Sequence, residues 1–218
     1  GWNSSTLTID PSSDLTIGTN YYIKIAPTAV KDLAGNTYAG ISDSATLNFA
    51  SSGVNLSIIV SGVGGYVING EAENDWSGAS VSRAGDVNGD GIDDLIVGAY
   101  GAVSGRGKSY VVFGKSSGTT AIDLSDVASG VGGFIIDGEL DGDYSGYSVS
   151  SAGDVNGDGL ADLIVGAYQA DSLIPSAGTS YVVFGKTTTT GINLGSLGTN
   201  GFIISGQAMG DGNSISVS

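Results

Sequence analysis

ASVSRAGDVNGDGIDDLIVGAY, residues 79–100, returns with few changes as YSVSSAGDVNGDGLADLIVGAY at residues 147–168. The recurrence extends outward in both directions. VNLSIIVSGVGGYVINGE (54–71), IDLSDVASGVGGFIIDGE (122–139) and INLGSLGTNGFIISGQ (192–207) are three copies of one pattern, and Gly65, Gly133 and Gly201 mark a period of 68 residues. SYVVFGK occurs at Ser109 and Ser180, an offset of 71, so residues entered between landmarks. The longer stretch is QADSLIPSAGT (169–179) against GAVSGRGK (101–108). Length changes of this kind belong to surface connections, which supports strands on either side.

Each period reads as four strands: A around Ala79–Gly85, B at Leu95–Tyr100, C at Ser109–Gly114 and D at Gly133–Gly138. Val, Ile, Tyr, Phe and Thr dominate these stretches, and Gly, Ser, Asn and Asp separate them. No segment of ten or more residues carries a helical apolar period. Strand B reads LIV without alternation, as a strand covered on both faces does. A four-stranded sheet recurring at a fixed period predicts blades of a β-propeller stacked face to face. A string of independent β modules is the alternative, but one small sheet cannot bury two apolar faces alone. The expected division is an outer strand at 54–70, a blade at 71–138, a second at 139–206 and the start of a further one at 207–218. Propellers close with roughly 4–8 blades, so the chain reads as a piece of a longer protein.

Residues 1–52 differ in style. STLTID, TNYYIKIAPTAVKD and ATLNFAS are separated by the turn signals DPSSD and DLAGN. They predict three or four strands, about half of an immunoglobulin-like sandwich of ~100 residues. The fold class is therefore all-β: a partial propeller preceded by part of a sandwich.

Composition narrows the chemistry. Seven basic residues stand against 22 acidic ones, a net charge of −15 that disfavours nucleic acid and anionic lipid. With no cysteine and no histidine, disulfides, thiolate chemistry, cysteine–histidine zinc sites and serine–histidine catalysis are excluded within this sequence. No apolar run reaches the roughly 18 residues that a spanning helix needs. No carboxylate pair outside the repeated loop suggests acid–base work, so no enzymatic activity is expected.

The acids concentrate in the repeated string. DVNGDGIDD (86–94) and DVNGDGLAD (154–162) set side-chain oxygens at loop positions 1, 3, 5 and 9 with glycine at 6. Calcium takes six to eight hard oxygen ligands, and alternate positions of a tightly curled loop supply them. The expected ligands are Asp86, Asn88, Asp90, Asp94 and the Ile92 carbonyl, then Asp154, Asn156, Asp158, Asp162 and the Leu160 carbonyl. Magnesium demands stricter octahedral geometry, so two calcium sites are expected. A bare Asn-Gly hairpin turn with solvated acids is the competing reading. An EF-hand needs flanking helices and glutamate at position 12, where this sequence has Val97 and Val165. A dockerin module likewise needs a helix where LIVGAY follows.

SVSSAGDVNGDGLADLIVGAY resembles the FG-GAP repeat, the blade of the integrin alpha-subunit propeller and its bacterial relatives. The resemblance covers Val54–Ser218 and carries the same metal ligands over, in a hairpin joining strands A and B. It departs at the family's Phe-Gly, which is Ser77-Gly78 and Ser145-Gly146 here. It departs again at the family's Gly-Ala-Pro, which is Gly98-Ala99-Tyr100 and Gly166-Ala167-Tyr168. YYIKIAPTAVKDLAGNTYAG (21–40) resembles the second half of a bacterial immunoglobulin-like domain. Together these imply a secreted or cell-surface bacterial protein that meets a protein or glycan ligand on a cell surface or matrix. A passive spacer, or a non-catalytic propeller of a larger secreted hydrolase, are the alternatives. Asp75, Trp76, Asp143 and Tyr144 lie on D–A loops, the face where family members meet partners. Ordinary packing between blades is the other reading of those aromatics.

Overall fold

The computed structural model describes residues 20–22, 48–50, 56–60, 62, 65–118, 120–170, 177–208 and 214–218, within two compact units, Gly1–Gly64 and Gly65–Ser218. In the first unit, β1 (Asn20–Tyr22) pairs antiparallel with β2 (Asn48–Ala50), with Tyr21 opposite Phe49. These fall within two of the strands expected there. The expected strand in STLTID and the DPSSD and DLAGN turns lie outside the described residues. Leu56–Ile59 forms a single helical turn.

The second unit opens with β3 (Ile68–Asn69), β4 (Ser80–Gly85), β5 (Asp94–Ala99), β6 (Lys108–Val112), β7 (Ile122–Asp123) and β8 (Gly133–Asp137). The pattern then repeats as β9 (Ser145–Gly153), β10 (Asp162–Ala167), β11 (Thr179–Val183), β12 (Ile192–Asn193) and β13 (Gly201–Ser205). β4, β5, β6 and β8 form one antiparallel sheet in chain order, and β9, β10, β11 and β13 form its copy. These are the A–D strands of two propeller blades.

Two features go beyond a four-stranded unit. β12 adds to the outer edge of β8 in parallel, and β7 adds to β3 in the same way. Asn69 Nδ2 donates to Asp123 Oδ1 at 2.7 Å and pins the second pair. Directly after each edge strand comes a helical turn, Leu124–Ala128 in one copy and a 3-10 turn at Leu194–Ser196 in the next. Within 54–70, expected as one outer strand, the described residues hold the turn Leu56–Ile59 and the short β3 instead. The leucine at the head of each later turn is buried, Leu124 and Leu194, so the turn acts as a cap over a sheet face.

The pleat of the first blade distributes its side chains between two cores. Ile96, Val111, Phe134 and Ile136 enter a cluster with Val149, Leu163, Val165, Tyr181 and Val183 of the second blade. Val97, Tyr110, Val112 and Ile135 enter the other cluster with Ile122, Leu124 and Val127. Both faces of LIV are thus covered in this blade, as its lack of alternation suggests. The counterparts of Phe134 and Ile136 in the second blade, Phe202 and Ile204, are 44% and 45% exposed.

The blades approach closely enough to need glycine. A Cβ at Gly98 on β5 would lie 2.1 Å from the Gly146 carbonyl oxygen on β9, and one at Gly166 would lie 2.4 Å from the Ser214 oxygen. Those pairs are one junction seen twice, a repeat apart. Val149 N–H donates to Ser80 Oγ (3.0 Å) and Ser148 Oγ to the Ser214 carbonyl (2.8 Å), which adds hydrogen bonds at each junction.

Candidate metal centre

The loops between β4 and β5 and between β9 and β10 have the same internal wiring. Asp86 Oδ1 accepts from the N–H groups of Gly89 (2.7 Å) and Asp90 (3.0 Å), and its Oδ2 accepts from Gly91 (2.9 Å). Asp154 accepts from Gly157, Asp158 and Gly159 at 2.8, 3.1 and 2.9 Å. Asn88 and Asp90 each accept from the N–H two residues ahead, as do Asn156 and Asp158. These successive Asx turns curl the chain, and short polar side chains at alternate positions are what they require. Gly91 and Gly159, at φ 85° and 90°, turn the loop back toward the sheet in a conformation that side chains resist.

The position-9 acids are buried and have a defined role. Asp94 Oδ2 accepts from Val87 N–H at 2.9 Å and Oδ1 from Gly114 N–H at 2.8 Å. Asp162 does the same with Val155 and Gly185, both at 2.8 Å. Each ties the start of its loop to the end of strand C. Burial pushes the Asp94 carboxyl above the ordinary aspartate range. Its two N–H partners oppose that shift, and the charges of Asp90 and Asp86 add to it. The negative charges of this loop therefore bear on one another.

Carboxylate and amide oxygens at alternate loop positions are a hard, all-oxygen donor set, which suits calcium in chemistry and order. Their side-chain oxygens are turned onto main-chain N–H groups. Among the described residues, no three acidic side chains stand grouped as a closed metal site. Ile92 and Leu160, the expected carbonyl donors, occupy the seventh position of each loop with their own N–H groups bonded back to Asp90 and Asp158. The adjoining Asp93 pairs with Arg83 at the exposed surface and belongs to no ligand set.

The D–A loops meet the connections between strands B and C. Gly101 N–H donates to the Asp75 carbonyl (3.1 Å), and Tyr144 N–H to the Gly105 carbonyl (2.7 Å). Trp76 is 62% exposed and stacks on Tyr100, with ring centres 6.2 Å apart and planes 12° from parallel. One repeat later Tyr144 stacks on Tyr168 at 5.5 Å and 23°. Tyr147 bridges the pairs, 5.3 Å from Tyr100 and 4.5 Å from Tyr168. The structure separates the four residues expected on this face. Asp143 is buried, and its Oδ2 accepts from Leu140 N–H, so it is no surface acid. Tyr144 is half-buried against the preceding blade's loop, whereas Trp76 projects outward.

A further repeated pair was not anticipated. Tyr110 O–H donates to the Glu71 carboxylate, which also takes Lys108 Nζ at 2.9 Å, and Tyr181 O–H donates to Glu139 at 2.9 Å. Burial pushes Glu71 upward, but the hydrogen bonds from Tyr110 and Lys108 and the lysine charge outweigh it and leave its carboxyl below the ordinary range. Burial and the Glu71 contact together push the Tyr110 hydroxyl far upward.

Comparison with known families agrees with this repeat-by-repeat geometry. The FG-GAP repeat model matches residues 77–112 and 145–183. The chain carries two FG-GAP repeats. Each match takes in strands A and B with the acidic loop between them, and reaches strand C. A bacterial Ig-like domain model matches residues 1–51. Relatives of the chain include mouse (Mus musculus) integrin alpha-X, 33% identical over 111 residues, which is 47% of this chain and 9% of that protein. Integrin alpha pat-2 of Caenorhabditis briggsae is 32% identical over 117 residues (50% and 9%), and mouse integrin alpha-IIb 37% over 98 residues (44% and 9%). The match thus spans about a tenth of the length of these relatives. Among the described residues no helix is long and apolar enough to cross a membrane.

Proposed function

We propose that this chain is a calcium-stiffened recognition module displayed outside the cell, whose FG-GAP blades present a binding face to a protein or glycan on a cell surface or matrix. The observation that carries the reading is the acidic loop occurring twice with the same hydrogen-bond scaffold. Asp86, Asn88, Asp90, Asp94 and the Ile92 carbonyl would hold one calcium. Asp154, Asn156, Asp158, Asp162 and the Leu160 carbonyl would hold the other. Bound calcium supplies a compact double charge that offsets the crowded carboxylates and clamps the A–B hairpin. The resemblance to proteins named integrin alpha supports adhesion, and the bacterial Ig-like match supports an extracellular, bacterial setting. No catalytic role is assigned to any described residue.

Calorimetric titration of the chelator-stripped chain, with thermal melts beside it, tests the reading. Two bound calcium ions and a raised melting temperature are expected. Saturation at a hundredfold over Kd adds about 2.7 kcal/mol per site. Magnesium binds more weakly. A folded chain that takes up no calcium overturns the proposal. A structural spacer is the second reading, and the burial of Asp143 with the half-burial of Tyr144 favours it for that half of the D–A face.

A further inference from the structure

The two acidic loops touch, although they belong to different blades. Ala161 N–H, at the eighth position of the second loop, donates to the carbonyl of Asp86, the first residue of the first loop, at 2.9 Å. A Cβ at Gly89, inside the first loop, would lie 3.0 Å from Leu160 Cδ2, and one at Gly85 would lie 2.7 Å from Ala161 Cβ. Just behind them, Lys186 N–H donates to the Val87 carbonyl at 2.9 Å, and Ser151 Oγ to the Ala84 carbonyl at 3.0 Å. Val87 is fully buried in the core shared by the blades, with Ala161 packed against that core.

The contact links parts that matter to both loops. Asp86 accepts three of its own loop's N–H groups, so its placement sets the curl of the first loop. Ala161 lies between Leu160, whose N–H is held by Asp158, and the buried Asp162, so its placement follows the curl of the second. We infer that Ala161 is a positioning residue for Asp86 and that the two loops bind their cations as a coupled pair. This rests on the calcium reading above. Filling the second loop fixes the N–H that holds the Asp86 main chain, and filling the first fixes the carbonyl that holds Ala161. Linkage makes the effect reciprocal: each loop changes the other's affinity by one common factor. A single main-chain hydrogen bond sets that factor at roughly three- to tenfold.

Calcium titration of the full chain measures the factor. Asp158→Asn disables the second loop, and Asp90→Asn disables the first. Coupling predicts that the surviving loop is weakened by roughly three- to tenfold in both variants, and by the same factor. In an Ala161→Pro background, which deletes the N–H and keeps every carboxylate, disabling one loop leaves the other's affinity unchanged. Hydrogen exchange supplies a readout that needs no proline. In the Asp158→Asn chain, calcium in the first loop slows exchange of the Ala161 amide. Two sites with mutually independent affinities, or an Ala161 amide indifferent to calcium, overturn the coupling and leave the calcium reading intact. A folded, unsubstituted chain that binds no calcium overturns both.

Discussion

Adding one methyl at Gly98 tests the blade junction directly. An alanine Cβ there would lie 2.1 Å from the Gly146 carbonyl oxygen, and that atom is main chain, with no rotamer to escape into. Carbon and oxygen settle at about 3.3 Å, so the facing strands must part by about 1 Å. A gap of 0.5–1 Å forfeits roughly a quarter to a half of each dispersion contact it opens. The affected contacts are those of the core that Ile96 and Phe134 share with Leu163 and Tyr181. Overpacking generally costs about 1–3 kcal/mol, and Gly98→Ala belongs at the upper end. For a unit of this size that lowers the melting temperature by roughly 6–12 °C. The assay is a thermal and urea melt in chelator, so that no cation contributes. Gly142→Ala is the control: its φ is 90° with no atom within 4 Å, so only the local strain of about 1 kcal/mol remains. A loss below about 0.5 kcal/mol for Gly98→Ala would refute the close approach of the two blades.

Other substitutions separate the remaining claims. Phe134→Ala should lose about 3–5 kcal/mol in a urea melt, whereas Phe202→Ala, its half-exposed counterpart, should lose far less. Asp94→Asn, melted in chelator, should lose about 1–3 kcal/mol, because an amide offers one acceptor oxygen to two buried N–H donors and sets its own NH2 against the other. The Glu71 carboxyl is depressed in the folded state, so its contribution is present above the ordinary glutamate range and is lost as pH falls through the depressed value. Tyr110→Phe should raise the Glu71 pKa in an NMR titration and weaken that acid dependence; an unmoved titration would remove the hydroxyl from the account.

Much of this was legible because the sequence writes it twice. The strands at Ser80–Gly85, Asp94–Ala99, Lys108–Val112 and Gly133–Asp137 fall within a residue or two of the periodic stretches that suggested them. The acidic loop sits in the A–B hairpin, where the FG-GAP resemblance implied it. The edge strands and helical turns were not legible, since two residues carry no alternation and three to five carry no helical period. Their signal was weaker: the recurrent Asn-Leu-Ser, Asp-Leu-Ser and Asn-Leu-Gly, in which Asn193 accepts from Gly195 N–H as a helix cap. Glu71 with Tyr110 and Glu139 with Tyr181 recur at matching phases, but only the fold brings residues about 40 apart into contact. Asp75 and Asp143 look equivalent in sequence. Asp143 nevertheless turns inward onto its own loop, where the preceding blade covers it.

The aromatic run across the D–A face has a use independent of any ligand. Of the two tryptophans in the sequence, only Trp76 belongs to the second unit. From its indole, neighbouring ring centres no more than 6.2 Å apart lead through Tyr100 and Tyr147 to Tyr168 and Tyr144 in the next blade. Light absorbed by Tyr144, Tyr147 and Tyr168 passes to the indole while the two blades stay seated and fades when they separate, whereas Tyr100 stays beside Trp76 in its own blade. The molecule therefore carries its own optical gauge of the junction, readable in a Trp2→Phe chain as the tyrosine-excited emission of Trp76 without any attached dye.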